Sequence, residues 1–165
     1  MRNRERRNQV IMKRLKKIVF ASGVVFVAIQ FIQPARNKSA QVFPADFSAV
    51  YKVPSNVQSI FQNACYDCHS NNTHYPWYSH IQPGAWIMAN HIKKGKAKLN
   101  FSEFGSNSTR KQISKLKEIF DQIKDDEMPL SSYKVMHKDA RLSQSEKDLL
   151  MNWMNKTADS LSANN

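Results

Sequence analysis

The sequence predicts an all-α protein, a small helical domain preceded by an amino-terminal apolar helix. Three observations carry this expectation. Only four glycines and few long β-branched runs after residue 35 leave little from which to build a sheet. From Thr109 onward, Ile113, Leu116, Phe120 and Ile123 recur at three- and four-residue steps with charges on the other faces, which is helical periodicity. An uncharged apolar run follows a strongly basic amino terminus. A chain of 165 residues has room for one compact domain and an appendage.

The appendage comes first. A net charge of +12 suggests nucleic acid until it is located. Residues 1–17 hold eight Lys/Arg against Glu5 alone, which leaves about +5 for the rest, an ordinary mildly basic domain. No groove-reading helix pattern accompanies the basic run, so no nucleic-acid partner is expected. Ile18–Ile32 is uncharged and apolar except for Ser22, Gly23 and Gln30. A basic stretch followed by an apolar one is an export signal, cleaved or retained. Cutting after Ala35 would put Gln33 at the third position before the cut, and cutting after Ala40 would put Lys38 there. Neither suits cleavage, and a retained signal anchor over residues 1–33 is expected, its basic end in the cytoplasm. The run is short for a span of about 20 residues, and snorkelling of Lys16 and Lys17 is needed to lengthen it.

Residues 34–54, with Pro34, Pro44 and Pro54, read as an extended tether. Ser55 and Gln58 have the spacing of a capping box, and Val57, Ile60, Phe61 and Ala64 follow at helical spacing. That helix delivers Cys65-Tyr66-Asp67-Cys68-His69. Cys-x-x-Cys-His is the attachment site of a c-type haem: two thiols three positions apart reach the two vinyl groups, and the histidine offers a ring nitrogen to the iron. These are the only two cysteines. A structural zinc site would need a second ligand pair, and His74, His80, His91 and His137 do not repeat the unit. A thioredoxin-like dithiol would need a strand before the motif, and the flanks read as helical.

Tyr75, Trp77 and Tyr78 are candidates to wall a porphyrin, or ordinary core aromatics. A helix is expected after Pro83-Gly84, carrying Trp86, Ile87 and His91 and ending near Gly95. Lys93, Lys94, Lys96 and Lys98 are a solvated cluster or a steering patch for an acidic redox partner. Phe101 and Phe104 are expected to return from a loop to the core. After the helix from Thr109 comes Asp125-Asp-Glu-Met128-Pro129, a loop enforced by proline. A thioether held in such a loop suits a Met/His iron site, so Met128 is the candidate distal ligand, with His91 the alternative. Ser143 and Glu146 form a second capping box, opening a last helix with Leu149, Leu150, Trp153 and Met154 on its apolar face. Trp153 suits a crossing of the first domain helix, the domain spans 55–157, and residues 158–165 read as a frayed tail.

These residues resemble the bacterial haem-binding domain proteins, small membrane-anchored relatives of cytochrome c. The matching stretches are Cys-Tyr-Asp-Cys-His-Ser-Asn at 65–71, Tyr-Pro-Trp-Tyr at 75–78, Leu-Asn-Phe-Ser-Glu-Phe at 99–104, Glu-Met-Pro at 127–129, His-Lys-Asp-Ala-Arg-Leu-Ser at 137–143 and Trp153, with Ile29-Gln-Phe-Ile-Gln-Pro34 at the end of the anchor. The resemblance implies a cytochrome c-like helical domain around one covalent haem c on Cys65 and Cys68, with His69 as proximal ligand. By analogy with cytochromes c, Met128 is the distal ligand. The function expected is a one-electron carrier, not an enzyme. It would be held by membrane lipid at the bacterial cytoplasmic membrane with the haem domain on the periplasmic side, and would meet an unidentified redox protein. The alternative is a haem enzyme or gas sensor with an open or weakly ligated distal position, for which His91 or His74 would serve as acid/base group.

Overall fold

The computed structural model describes residues 2–39, 41 and 43–163. Met1, the cleavage position at Ala40, and the final two residues of the expected tail, Asn164 and Asn165, lie outside them. The described chain is helical, and its one β element is an isolated bridge between Lys38 and Asn72. The helices are α1 Arg2–Ile29, α2 Phe47–Val50, α3 Ser55–Ala64, α4 Tyr66–His69, α5 Gly84–Lys98, α6 Thr109–Lys124, α7 Ser131–Met136 and α8 Gln144–Ala163, with 3₁₀ turns at Trp77–His80, Phe101–Ser106 and Lys138–Ala140. The all-α expectation holds. The chain divides into two compact units, one comprising the residues up to Arg36 together with Tyr75–Asn90, the other Asn37–His74 together with His91 onward.

In the first unit, α1 runs through the basic stretch into the apolar one and then tightens: Gln30, Phe31 and Ile32 donate their N–H groups to carbonyls three residues back. The helix therefore ends before the apolar run does. Its uncharged part, Ile18–Ile29, covers about 18 Å at 1.5 Å per residue, against a hydrocarbon core of about 30 Å. Among the described residues no helix is long and apolar enough to cross a membrane, which corrects the expectation of a spanning helix. Gln82 closes the unit. Its side chain is almost wholly buried and donates to the Ile32 carbonyl at 2.8 Å, while its backbone N–H donates to Gln30 Oε1 at 2.9 Å.

The second unit holds the hydrophobic core. Val57, Ile60 and Phe61 of α3, Leu116, Ile119 and Ile123 of α6, and Leu150, Met154 and Ala158 of α8 meet Phe101, Phe104 and Phe47 there. Phe101 and Phe104 do return to the core, both fully buried. Trp153 meets Phe61 at 6.0 Å between ring centroids, so the last helix packs against α3 through this aromatic.

Four local expectations change. Residues 34–54 are not a plain tether: Asp46 accepts the Ser48 N–H at 2.9 Å and opens α2, and Phe47 lies at 0% exposure with its ring against Phe61, Phe101, Phe104 and Trp153. Gly105 donates to the Ala45 carbonyl at 2.8 Å and seals this segment in place. At α3 the N-cap is Pro54, whose carbonyl accepts from Gln58 N–H at 2.9 Å, and Ser55 is already inside the helix, so no side-chain box forms. α5 passes through Gly95 to Lys98, because that glycine is required for close packing and not for a stop. α8 continues to Ala163 beyond the expected fraying point, with Ala158 buried and Leu161 packed on the core.

The second capping box is present. Ser143 N–H donates to Glu146 Oε2 at 2.8 Å, and Glu146 N–H returns to Ser143 Oγ at 3.3 Å. The Ser143 hydrogen bonds hold the Glu146 carboxyl below the usual glutamate range. That contribution is present at neutral pH and is lost as pH falls through the depressed value.

Candidate haem site

The Cys-x-x-Cys-His segment is a single helical turn set just past the end of α3. Cys65 closes α3 by donating to the Phe61 carbonyl at 2.9 Å, and its own carbonyl accepts from Cys68 at 3.2 Å and from His69 at 3.0 Å. Cys65 caps the turn that carries Cys68. Both are half-buried and not disulfide-bonded. Burial, then the neighbouring Cys68, pushes the Cys65 thiol up to about 12. Burial, then the Asp67 charge, pushes Cys68 up to about 11. A working dithiol needs the opposite shift, toward thiolate at neutral pH. A zinc site finds no support either: among the described residues no group of three or more His, Cys, Asp or Glu is placed to hold a metal ion.

His69 follows on the same turn with its ring half-buried. Its Nδ1 lies 3.1 Å from the Leu99 carbonyl oxygen. A carbonyl can only accept, so Nδ1 carries the proton and the lone pair is on Nε2. Burial holds the ring below the usual histidine range, in its neutral form. A neutral imidazole with Nδ1–H tied to a backbone carbonyl is the form a metal-ligating histidine takes. The donor set therefore fits a haem iron.

The turn is braced from three directions. Tyr66 stacks on Phe101 at 5.0 Å with the rings 5° from parallel. Asp67 accepts the His74 N–H at 2.8 Å on one oxygen and the Tyr133 hydroxyl at 2.8 Å on the other. Asn37 donates to the Ser70 carbonyl at 2.8 Å, and Thr73 Oγ1 to the Asp67 carbonyl at 2.6 Å. α5 presses on the far side at Gly95, where a Cβ would lie 2.7 Å from the Cys68 carbonyl oxygen, closer than real side chains approach. Gly95→Ala is therefore expected to push the turn away from α5 and lower stability by about 1–3 kcal/mol. Thermal unfolding beside the wild type measures it, and an unchanged midpoint would mean that the contact is slack.

Met128 is placed by the end of α6. Asp126 adopts a left-handed backbone, φ 58°, and Glu127 and Met128 both donate their N–H groups to the Gln122 carbonyl, at 3.0 and 3.1 Å. The methionine is half-buried and lines a cavity of about 400 Å³ with Asp126, Pro129, Lys134, Arg141 and Lys147 among its other walls. Cys65, Cys68 and His69 are not among the lining residues. No hydrogen bond or ring contact among the described residues joins Met128 or His91, half-buried on α5, to His69. What does reach the motif from the Met128 side is Tyr133 of α7, through Asp67, with His137 stacked on Tyr133 at 4.0 Å. Met136 is exposed.

A model of the haem-binding domain family matches residues 24–156. The chain belongs to the haem-binding domain family. The match takes in the whole Cys65–His69 turn, the Met128 loop and most of α8, and it makes haem the cofactor of the domain. Searches of curated proteins and of solved structures found no match to the chain.

Within this haem-binding domain, sequence reasoning located the cysteines and His69 but missed their supports. Leu99 acts through its backbone carbonyl, to which no side-chain pattern points. Asp67 and Tyr133 are 66 residues apart and carry no joint signal. Gly95 was legible only as a helix stop. Tyr75, Trp77 and Tyr78 belong to the first unit, where Arg36 lies over the Tyr75 ring at 4.3 Å and Trp77 is 72% exposed. Trp77 is therefore not a core aromatic. His80 lies 2.7 Å from Arg36 in the same unit, and His74 is exposed.

Proposed function

We propose that the protein is a one-electron carrier with a single haem c, attached through thioethers at Cys65 and Cys68 and ligated by His69 and Met128. The observation that carries this reading is the Leu99–His69 hydrogen bond, which puts the proton on Nδ1 and so the lone pair that iron would need on Nε2. Bound iron supplies a reversible one-electron couple, and a thioether ligand raises its potential. The chain's own residues do the rest. Cys65 and Cys68 supply two neutral thiols at the cap and within a braced turn. Phe101 meets His69 edge-on at 6.3 Å and Tyr66 face-on, helping to exclude water from the proximal side. The Gln122 carbonyl fixes the loop that offers Met128. A cytochrome c-like arrangement, with α8 crossing the helix that leads into the motif, is part of the same reading.

The basic run and the exposed apolar part of α1 support tethering to the cytoplasmic membrane of a bacterium, haem domain outward, where covalent attachment takes place. Exposed Lys93, Lys94 and Lys98 favour an acidic redox protein as partner. A haem enzyme or sensor with a weakly held distal position is the second reading, favoured by the separation of Met128's cavity from the Cys65–His69 turn.

Expressed with a c-haem maturation system, the full chain is expected to keep its haem through denaturing electrophoresis, and loss of all haem there rejects covalent attachment. In the oxidised protein, Met128→Ala is expected to remove the near-infrared methionine–iron band. A wild type that lacks this band and binds carbon monoxide without displacing a ligand would establish the second reading instead.

A further inference from the structure

The first unit is almost uncharged once the basic run is passed. Beyond Lys17, its only Lys, Arg, Asp or Glu is Arg36, in a chain that is 23% charged overall. Its apolar side chains are nevertheless turned outward: Phe31 is 84% exposed, Trp77 72%, Ile32 61% and Ile87 54%, with Ile81 and Trp86 exposed as well. A solvent-facing surface of this composition is not what a protein presents to water alone.

Nor are these residues scattered over independent loops. Trp77, Ile81, Trp86 and Ile87 ride on the segment that is clasped to the end of α1. Trp86 Nε1 donates to the Ile32 carbonyl at 3.1 Å, the buried Gln82 amide donates to the same oxygen at 2.8 Å, and Gln33 Nε2 reaches the His80 carbonyl at 3.2 Å. The clasp fixes a platform bearing two tryptophans and two isoleucines at the apolar end of the helix, opposite the basic end. Its lone charge, Arg36, is held against Tyr75 and His80.

We propose that this platform is a lipid-contacting surface that lies at the bilayer interface and extends the exposed apolar surface of α1. The inference rests on the membrane tethering proposed above. It makes lipid the occupant for three reasons. The platform is continuous with the exposed apolar helix. Indole rings favour the interface, where the ring is apolar and its N–H can be satisfied. The lysines and arginines at the opposite end suit anionic headgroups. The side chains of the platform extend the apolar surface past Ile29, where the helix ends.

The test uses the full-length protein reconstituted into phosphatidylethanolamine/phosphatidylglycerol vesicles, with and without bromine on the acyl chains near the headgroup. Flotation is measured first, then tryptophan emission as the ratio between the two vesicle types, which cancels quenching from within the protein. The expected result is flotation with lower emission in brominated vesicles, and loss of that difference in Trp77→Phe/Trp86→Phe, which retains only the core-packed Trp153. Ile87→Asp is expected to reduce the bromine effect while leaving the helical circular dichroism unchanged. Flotation with equal emission in both vesicles overturns the platform and leaves the tether standing. A chain that fails to float overturns both. A bromine effect undiminished in the double variant places Trp153 at the lipid and overturns the assignment.

Discussion

Replacing His69 with alanine is expected to abolish low-spin haem ligation in the full-length protein, with the sharp visible bands of the reduced wild type collapsing to a broad high-spin spectrum. The effect is expected to exceed that of any other ligand change, because His69 is the histidine held on the same turn as the two cysteines. Its Nδ1 is already tied to the Leu99 carbonyl, whereas the His74 side chain is exposed and the His137 ring is stacked on Tyr133. The substitution also leaves the Leu99 carbonyl without its ring donor, a loss of about 1–3 kcal/mol where the group is buried. A second variant separates the two effects. His69→Asn keeps a donor toward Leu99 but offers a poor iron ligand, so it is expected to recover stability without recovering the spectrum. An unchanged reduced spectrum in His69→Ala would remove His69 from the iron.

Phe47→Ala is the second large effect, and here composition and structure disagree most directly. A phenylalanine in a proline-punctuated tether would tolerate truncation. This one is fully buried, with five aromatic neighbours within 5.5 Å between ring centroids. Removing it is expected to cost about 3–5 kcal/mol, the usual range for a buried phenylalanine. Val50→Ala, three residues away and 45% exposed, is expected to change stability by less than about 0.5 kcal/mol. Urea unfolding of the two variants side by side measures the difference. Equal midpoints would return residues 34–54 to the status of a linker.

Phe47 also shows what could be read in the sequence and what could not. Periodicity found α6 and α8, because long amphipathic helices write their buried face into every third or fourth residue. The Ser143–Glu146 cap was legible for the same reason, as a local pattern with a local cause. The same pattern at Ser55–Gln58 misled, since Pro54 occupies the cap position and moves Ser55 into the helix. The three prolines of residues 34–54 outweighed the one signal of order among them, Asp46 two residues before Ser48, an aspartate able to cap its own turn. α1 was overextended because hydropathy continues through Ile32 while the helical hydrogen bonds do not. At the candidate haem site, residue types whose chemistry is unusual announced themselves. The groups that orient them are a carbonyl, a missing Cβ and a tyrosine distant in sequence, and none of these is visible until the chain is folded.

The residues between the two cysteines bear on how the motif can be handled. Tyr66 is committed to Phe101, and both oxygens of Asp67 are committed, one to the loop that follows and one to α7. The positions conventionally written as x are therefore fasteners, each specific to its own neighbour. Exchanging the pentapeptide for another Cys-x-x-Cys-His segment would preserve both thiols and the imidazole and still unbuckle the turn from both sides. In this chain the motif is not a portable cassette, and any transplant would have to carry Phe101 and Tyr133 with it.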